Sequence, residues 1–458
     1  MDSVPTGTKE SLNKLAYIAD TRAGLAILIV FHVFICCTSL VAASSFTYPS
    51  YDAAAFHILY DPARLSGAIA VVAAFALVSA LFLCAPFSFG YFVGFYFYTT
   101  ILGYLWINHF SDLNYDHWLS GVSAAASSIA FLAPALLISS PIRQSFVLSA
   151  RSFDRLLVLI LFLAAATIVA GAIHNFRLVS LQDVYEYRGD LKFPTIIRYS
   201  IGITSSALLP FAFASFVAQR KPWQGGATLL LLLAFYPVSL SKVAFFSPAW
   251  LIVVWLLAKL LQARTAVVLS LLLPMLSGAL IFLFELWPAF FFTVNVRMVA
   301  IPAAAMDIYN HYFSSHELTF FCQITLLKPL MACPYPSYLS LVMQEAYHLG
   351  NFNASLFATE GIASVGPLVA PVLALLCGLV FAFANRLSAG LPARFILTSS
   401  AILPQILLNV PLTTTLVTHG AALIFLLWYI TPRTIFEAKD VEQPDPACPQ
   451  GKARIFRK

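Results

Sequence analysis

Runs of apolar residues long enough to cross a bilayer recur along this chain, parted by short polar turns, and nothing constrains its fold more. The hydrocarbon core of a membrane needs about 20 apolar residues per helix, and a helix satisfies all its own backbone groups there. Twelve runs read as transmembrane helices: 23–43, 65–85, 87–107, 119–137, 156–173, 199–218, 227–240, 244–261, 266–286, 365–384, 395–410 and 412–430. The seventh and eighth are short, and only Pro411 separates the last two. The first is too long for a signal-peptide core of roughly 7–15 residues, so it reads as an anchor. Composition agrees: 10% of residues are charged, against roughly 25% in a soluble domain. The expected fold is all-α, a polytopic membrane protein of about twelve transmembrane helices.

Lysine and arginine near the span ends orient such a protein, because they favour the cytoplasmic side. With the N-terminus inside, 18 of the 26 fall in inner segments, and both termini are cytoplasmic. The expected organisation is an N-terminal segment 1–22, a transmembrane domain 23–430, and a cytoplasmic tail 431–458 that is polar and disordered. Two long external loops interrupt the domain, at about 174–198 and 287–364. Loops of that length are functional more often than idle. The net charge of +6 comes with no basic run interleaved with aromatics, so it signals membrane orientation and not nucleic acid.

The seven cysteines show no metal-ligand spacing. Cys36 and Cys37 lie in an apolar run, whereas Cys322 and Cys333 both fall in the second loop, where a disulfide is open to them. No Asp-x-Asp motif appears, so neither a metal nor another cofactor is expected.

The eight external cations run against the orientation bias. Arg64 would cap a helix end. The rest are Arg177, Arg188, Lys192, Arg198, Lys242, Arg297 and Lys328. In the first loop Asp183-Val-Tyr185-Glu186-Tyr187-Arg188 precedes Arg198, and an arginine fork matches phosphate oxygens; pairing of Arg with Glu is the plain alternative. Lys242 follows Ser241 in an apolar setting and needs an anion, a carboxylate or a route to the interface. In the second loop Pro302 suits the first turn of a helix. Arg297 would then stand ahead of that helix, where free N–H groups and a guanidinium would meet an anion together. Tyr309 and Tyr312 share a helical face suited to stacking on sugar rings, or to an interfacial aromatic belt. Asn353-Ala-Ser355 is a glycosylation sequon, relevant only in a eukaryotic secretory pathway. Glu360, with no Lys or Arg within ten residues, is a candidate general base or a buried acceptor. His419, near the external end of the last span, is a second candidate base or a satisfied core histidine.

In this order, the Asp183–Arg188 patch, Ser241-Lys242, Arg297-x4-Pro302-x6-Tyr309-x3-Phe313, Asn353 to Glu360-Gly361 and Gly366, and Thr418-His419-Gly420 resemble the bacterial O-antigen (Wzy-type) polymerase family. These are the oligosaccharide repeat-unit polymerases. The resemblance covers roughly residues 183–420; the first 150 residues show only helices. It implies a C-type, metal-independent membrane glycosyltransferase of the bacterial inner membrane, active on the periplasmic side. Its substrates would be undecaprenyl-diphosphate-linked oligosaccharides, one moved onto the non-reducing end of another. A chain-length regulator and a flippase would be its partners in the bilayer. Arg188 and Arg297, with Lys242 and Arg198, would hold the diphosphate. Tyr187, Tyr309, Tyr312 and Asn353 would contact the glycan, and Glu360 or His419, with Glu186 behind them, would take the acceptor's proton. The O-antigen ligases share the donor chemistry. A twelve-span secondary transporter or exporter is the alternative from another class, disfavoured because the long second loop has no counterpart in the first half. A membrane acyltransferase would need an H-x4-D pair, which no span end carries.

Overall fold

The computed structural model describes residues 16–49, 51–181, 183–324, 327–349 and 357–437. Both chain ends and Asn353 lie outside the described residues. Five of the long helices begin at polar caps that accept a backbone N–H two or three residues on. Thr21 accepts from Gly24 at the start of α1 (Arg22–Ser44), and Asp61 from Ala63 at the start of α2 (Pro62–Cys84). Ser88 accepts from Tyr91 for α3 (Phe89–Phe110), Asp116 from Leu119 for α4 (His117–Leu137), and Ser149 from Ser152 for α5 (Ala150–His174). Then follow α6 (Thr195–Ala218), α7 (Lys242–Leu260), α8 (Ala263–Leu283), α9 (Pro288–Phe313) and α10 (Ala358–Ser388). The last pair, α11 (Leu412–Thr418) and α12 (Ala421–Ile430), is bent by 59° at Gly420.

The count of spans changes. Among the described residues nine helices are long and apolar enough to cross a membrane, or ten if the bent pair is one span. The expected run at 227–240 is a 13-residue helix, Pro222–Ala234, continued by Tyr236–Ser239. That at 395–410 is broken into Ala393–Ser399 and Leu403–Leu407. α3, rich in tyrosine and glycine, is not one of the nine, yet 20 of its 22 residues are buried. It is the central helix, surrounded by protein and not by lipid.

α1, α3 and α8 run parallel. The Asp20 carboxylate, just before α1, accepts from Gln262 N at 3.1 Å, just before α8, while Phe46 and Phe282 meet beyond and at their far ends. In α3, Tyr91 lies near Arg264 and Tyr96 near Ser270, which sets the same direction. α2 and α4 return antiparallel, through Phe75 on Tyr98, Phe82 on Tyr91 and Phe131 on Phe97.

α9 is apolar enough to cross, but its contacts put both its ends at one end of the bundle. Phe291 packs on Phe46 and Phe282. Sixteen residues on, Asp307 bonds Ser111 and Tyr115, just past the C-terminus of α3. Between them, Asn295 dips to Ser39 and Met275. α9 therefore lies across that end as a shallow beam within the second long loop.

α10 is not one helix. Gly366, at φ 75° and ψ 169°, interrupts it, and a Cβ on Gly361 would lie 3.1 Å from that of Ala370. In a straight helix those residues would be about 13.5 Å apart. Phe357 meets Phe381 at 6.0 Å, with Phe97 and Phe131 both at 4.9 Å. Residues 358–365 thus form a re-entrant arm folded back on 367–388, with its N-terminus deep among α3, α4 and α10.

Candidate functional site

The reversal at Gly366 carries Glu360 into the protein. Two backbone bonds pin the arm from the second loop: Thr319 N to Ala363 O at 2.9 Å and Phe320 N to Ser364 O at 3.1 Å. Half-buried Glu360 accepts from the backbone N–H of Leu412, the first residue of α11, at 3.3 Å. Tyr309 and Cys377 are near enough to feel its charge. The carboxylate therefore sits where three interrupted elements meet: the re-entrant arm, α11 and the C-terminal half of α9.

The other candidate base stands at the opposite end of α11. His419 Nδ1 lies 3.0 Å from Thr418 Oγ1, at the bend before α12. Glu360 adjoins the first residue of this seven-residue helix and His419 follows the last, so about 10 Å of helix separates them.

Beside this interior lies a polar network that sequence reading did not assemble. Asp307 accepts from Ser111 Oγ at 2.7 Å and from the Tyr115 hydroxyl. The same Tyr115 hydroxyl lies 2.9 Å from Asn108 Oδ1, which in turn lies 2.9 Å from His117 Nδ1. Tyr104 accepts from Asn310 Nδ2 at 3.1 Å. The sequence signal was the polar density at the C-terminal end of α3, in Tyr104, Asn108 and Ser111, but the α9 partners of Tyr104 and Ser111 are some 200 residues away. Nearby, Tyr312 stacks on His316 with centroids 3.9 Å apart, and His311 Nδ1 lies 2.6 Å from the Tyr347 hydroxyl. Burial pushes the hydroxyls of Tyr335 and Tyr347 up to about 12, so both remain protonated at neutral pH.

The cations divide into two groups. The first loop carries Arg188 and Tyr187 on the short helix Val184–Arg188. Val184 packs on Tyr236 and Leu240, and the Tyr236 hydroxyl donates to Val179 O at 2.6 Å. That contact brings the loop onto the turn that ends in Lys242, the first residue of α7. Arg188 and Glu186 are exposed. Tyr187 lies under Arg177, whose guanidinium stands 5.6 Å from the ring and 3.8 Å from Asp190. Arg198 lies over Tyr199 at 5.7 Å.

Arg297 belongs elsewhere, and two expectations about α9 need correction. Arg297 is exposed on a π-helical stretch, Phe292–Ala300, with its guanidinium 5.6 Å from the Phe292 ring. Pro302 does stand at the start of an α-helical section, but Ala300 and Ile301 ahead of it already have helical dihedrals. The backbone runs on as one helix, so no set of free N–H groups opens beside Arg297. Its helix packs on α1, α3 and α8, whereas the first loop packs on the Tyr236–Ser239 turn. Tyr309 is also corrected: it is buried at 2% exposure against Phe313, so it shares no open face with half-buried Tyr312.

Cys322 and Cys333 are joined in a disulfide, with Cα atoms 5.3 Å apart. Among the described residues no group of three or more His, Cys, Asp or Glu could hold a metal. Fold and site together define a polytopic helical protein with long apolar helices and an interior carboxylate held among interrupted ones. No family model, curated protein or solved structure matches this chain.

Proposed function

We propose that this chain is a membrane glycosyltransferase that joins lipid-diphosphate-linked oligosaccharides, a polymerase of surface-polysaccharide repeat units in a bacterial inner membrane. Glu360 carries the reading. It is an interior carboxylate whose hydrogen bond from Leu412 N leaves acceptor capacity on the group, and it stands on an arm anchored from the second long loop. The disulfide of that loop supports an oxidising, non-cytoplasmic compartment.

In this reading an acceptor hydroxyl donates its proton to the Glu360 carboxylate as its oxygen attacks the anomeric carbon of the donor sugar. A C–O bond forms, the bond from that carbon to the lipid diphosphate breaks, and its electron pair stays on the diphosphate oxygen. Negative charge grows there, and fixed cations act most strongly where charge develops. Arg188, on the short helix whose Val184 packs on Leu240, and Lys242, two residues past Leu240, are the first choice for that clamp. Arg297 and Arg198 are additional phosphate or glycan contacts. The ligase version differs only in its acceptor.

Interrupted helices are also how secondary transporters build their central sites, and the breaks at Gly366 and Gly420 favour transport as the second reading. The two separate in liposomes holding the purified protein and a lipid-diphosphate-linked oligosaccharide. A transferase makes longer lipid-linked chains and releases lipid diphosphate. Movement of unaltered substrate across the bilayer, with no longer product, would replace the reading with transport.

A further inference from the structure

The second long loop carries an apolar surface that the transfer chemistry does not use. Between Glu317 and Glu345 the sequence has no acidic residue and one basic residue, Lys328. Its apolar side chains point outward: Phe320 is 60% exposed, Leu330 80% and Tyr338 65%. Met331 and Leu341, next to them along the chain, are exposed too. A contiguous exposed apolar patch marks a binding face.

Short contacts gather these residues into one surface. The disulfide brings the two ends of the tip together, with the Cα atoms of Cys322 and Cys333 5.3 Å apart. Gln323 Nε2 donates to the Tyr335 and Ser337 carbonyls at 3.2 and 3.1 Å, which sets Tyr338 beside the disulfide. Lys328 Nζ stands 5.1 Å from the centre of the Tyr338 ring, so the tip returns to the same place. Phe320 lies two residues before Cys322. Phe320 and Phe321 both have positive φ, 44° and 68°, a conformation that residues other than glycine seldom adopt.

Two features point to lipid as the cover of this patch. The tip satisfies its own backbone: Leu327 N and Lys328 N bond Ile324 O at 2.8 and 3.0 Å, and Leu330 N bonds Leu327 O at 2.8 Å. A segment that leaves water for a bilayer needs that internal pairing. The patch also continues a lipid-facing one. Phe320 N bonds Ser364 O, and Leu318 Cδ1 lies 3.7 Å from the Cβ position of Gly366. From that reversal the descending arm of α10 leads off with Leu368, Val372, Leu376 and Leu379, all exposed on a span-length helix. A lysine over a tyrosine, with no carboxylate near in sequence, suits the phosphate level of a membrane.

We infer that this tip docks on the bilayer that the helices span. Leu330 and Met331 enter the headgroup–acyl boundary, Phe320 and Tyr338 lie beside them, and Lys328 stands among the lipid phosphates. The docked segment bonds Ala363 and Ser364, so the arm that carries Glu360 is moored to the membrane surface. On the glycosyl-transfer reading, that mooring sets the arm near the level of a lipid-linked diphosphate. The docking itself does not depend on that reading, and its test reads lipid contact alone.

The full-length protein is reconstituted in liposomes of phosphatidylcholine and phosphatidylglycerol, with a fluorescent amino acid introduced at position 330 by stop-codon suppression. Phosphatidylcholine brominated near the top of its acyl chains quenches a probe that touches it, and iodide quenches one in water. The same probe at Leu376, on the lipid side of α10, and at Ser315, in an exposed polar stretch of the loop, gives the two reference values. Position 330 is expected to be quenched by bromine nearly as strongly as position 376 and to be spared by iodide. Met331→Asp beside the probe should reverse the two. If that variant does not fold, the comparison of the three positions in the otherwise unchanged protein decides alone. Quenching at position 330 by iodide and not by bromine would place the tip in water and overturn the inference. Quenching by neither would mean that protein, such as a second copy of this chain, covers the patch, and would overturn it as well.

Discussion

Replacing Gly366 with alanine tests the chain reversal on which the candidate site depends. At φ 75° and ψ 169° the residue occupies a region open in practice to glycine alone. A Cβ there would meet only Leu318 Cδ1, at 3.7 Å, an ordinary contact. No clash adds to the cost and no new burial offsets it. The penalty is therefore backbone strain, about 1–3 kcal/mol. If residues 358–388 were one straight helix, the same change would act as Gly→Ala within a helix and stabilise by roughly 0.5–1 kcal/mol. The sign decides between the two. Gly226 provides the control, since it lies in the helix Pro222–Ala234 with nothing within 4 Å of its Cβ position, and Gly226→Ala should stabilise. Detergent-solubilised variants, compared by the temperature at which half the protein remains monodisperse, should rank Gly226→Ala, wild type, Gly366→Ala. A Gly366→Ala protein at least as stable as wild type would remove the reversal, and with it the interior position of Glu360.

Three further outcomes follow from the account. Single cysteines at Ser315, in the second loop, and at Asp440, in the tail, should differ in intact cells: Ser315→Cys reacts with an impermeant maleimide and Asp440→Cys does not; labelling of both would overturn the orientation. Glycan synthesis should persist in EDTA, because no Asp-x-Asp motif and no cluster of metal ligands among the described residues calls for a divalent ion; loss on chelation, restored by Mg²⁺ or Mn²⁺, would contradict it. In a double-mutant cycle on glycan yield, Arg188→Ala and Lys242→Ala should couple by 0.5 kcal/mol or more, about what residues sharing a partner show. Arg297→Ala, carried by other helices, should add to either within ~0.5 kcal/mol; strong coupling of Arg297 to Arg188 would join the two cation groups into one clamp.

Where a run of apolar residues is unbroken it was legible, and α1 to α8 and the descending arm of α10 lie close to where hydropathy put them, the buried α3 included. The departures occur where polar residues or breaks interrupt a helix that faces protein. α9 was read as loop because Asn295, Arg297, Asp307 and Asn310 dilute its hydropathy. Three of these are buried against partners on α1, α3 and α8 or on the Ser111–Tyr115 loop, pairings that a single sequence does not reveal. Glu360 and Gly361 were read as loop for a related reason: an eight-residue arm that folds back on its own helix has no span-length signature. Its one local mark is Gly366-Pro367, which also suits a plain helix start. Arg297 was singled out on a proline signal that holds for a free N-terminus. Here the preceding backbone is already helical, and that half of the argument is lost. The disulfide left open in the second loop is formed, while the short helix that carries Arg188 packs through Val184 on Leu240, two residues before Lys242.

The most direct test of the central claim is the initial rate at which purified protein in liposomes lengthens a lipid-diphosphate-linked oligosaccharide, compared between wild type and Glu360→Gln. The amide keeps the volume and can still accept from Leu412 N, so the arm should stay in place, and equal unfolding midpoints would confirm it. It cannot take a proton. If Glu360 is the base, the rate should fall by about 10²–10⁴, while His419→Gln, changed 10 Å or so away along α11, should cost far less. Wild-type rates from a folded Glu360→Gln protein would show that the interior carboxylate is not the base and would contradict the account.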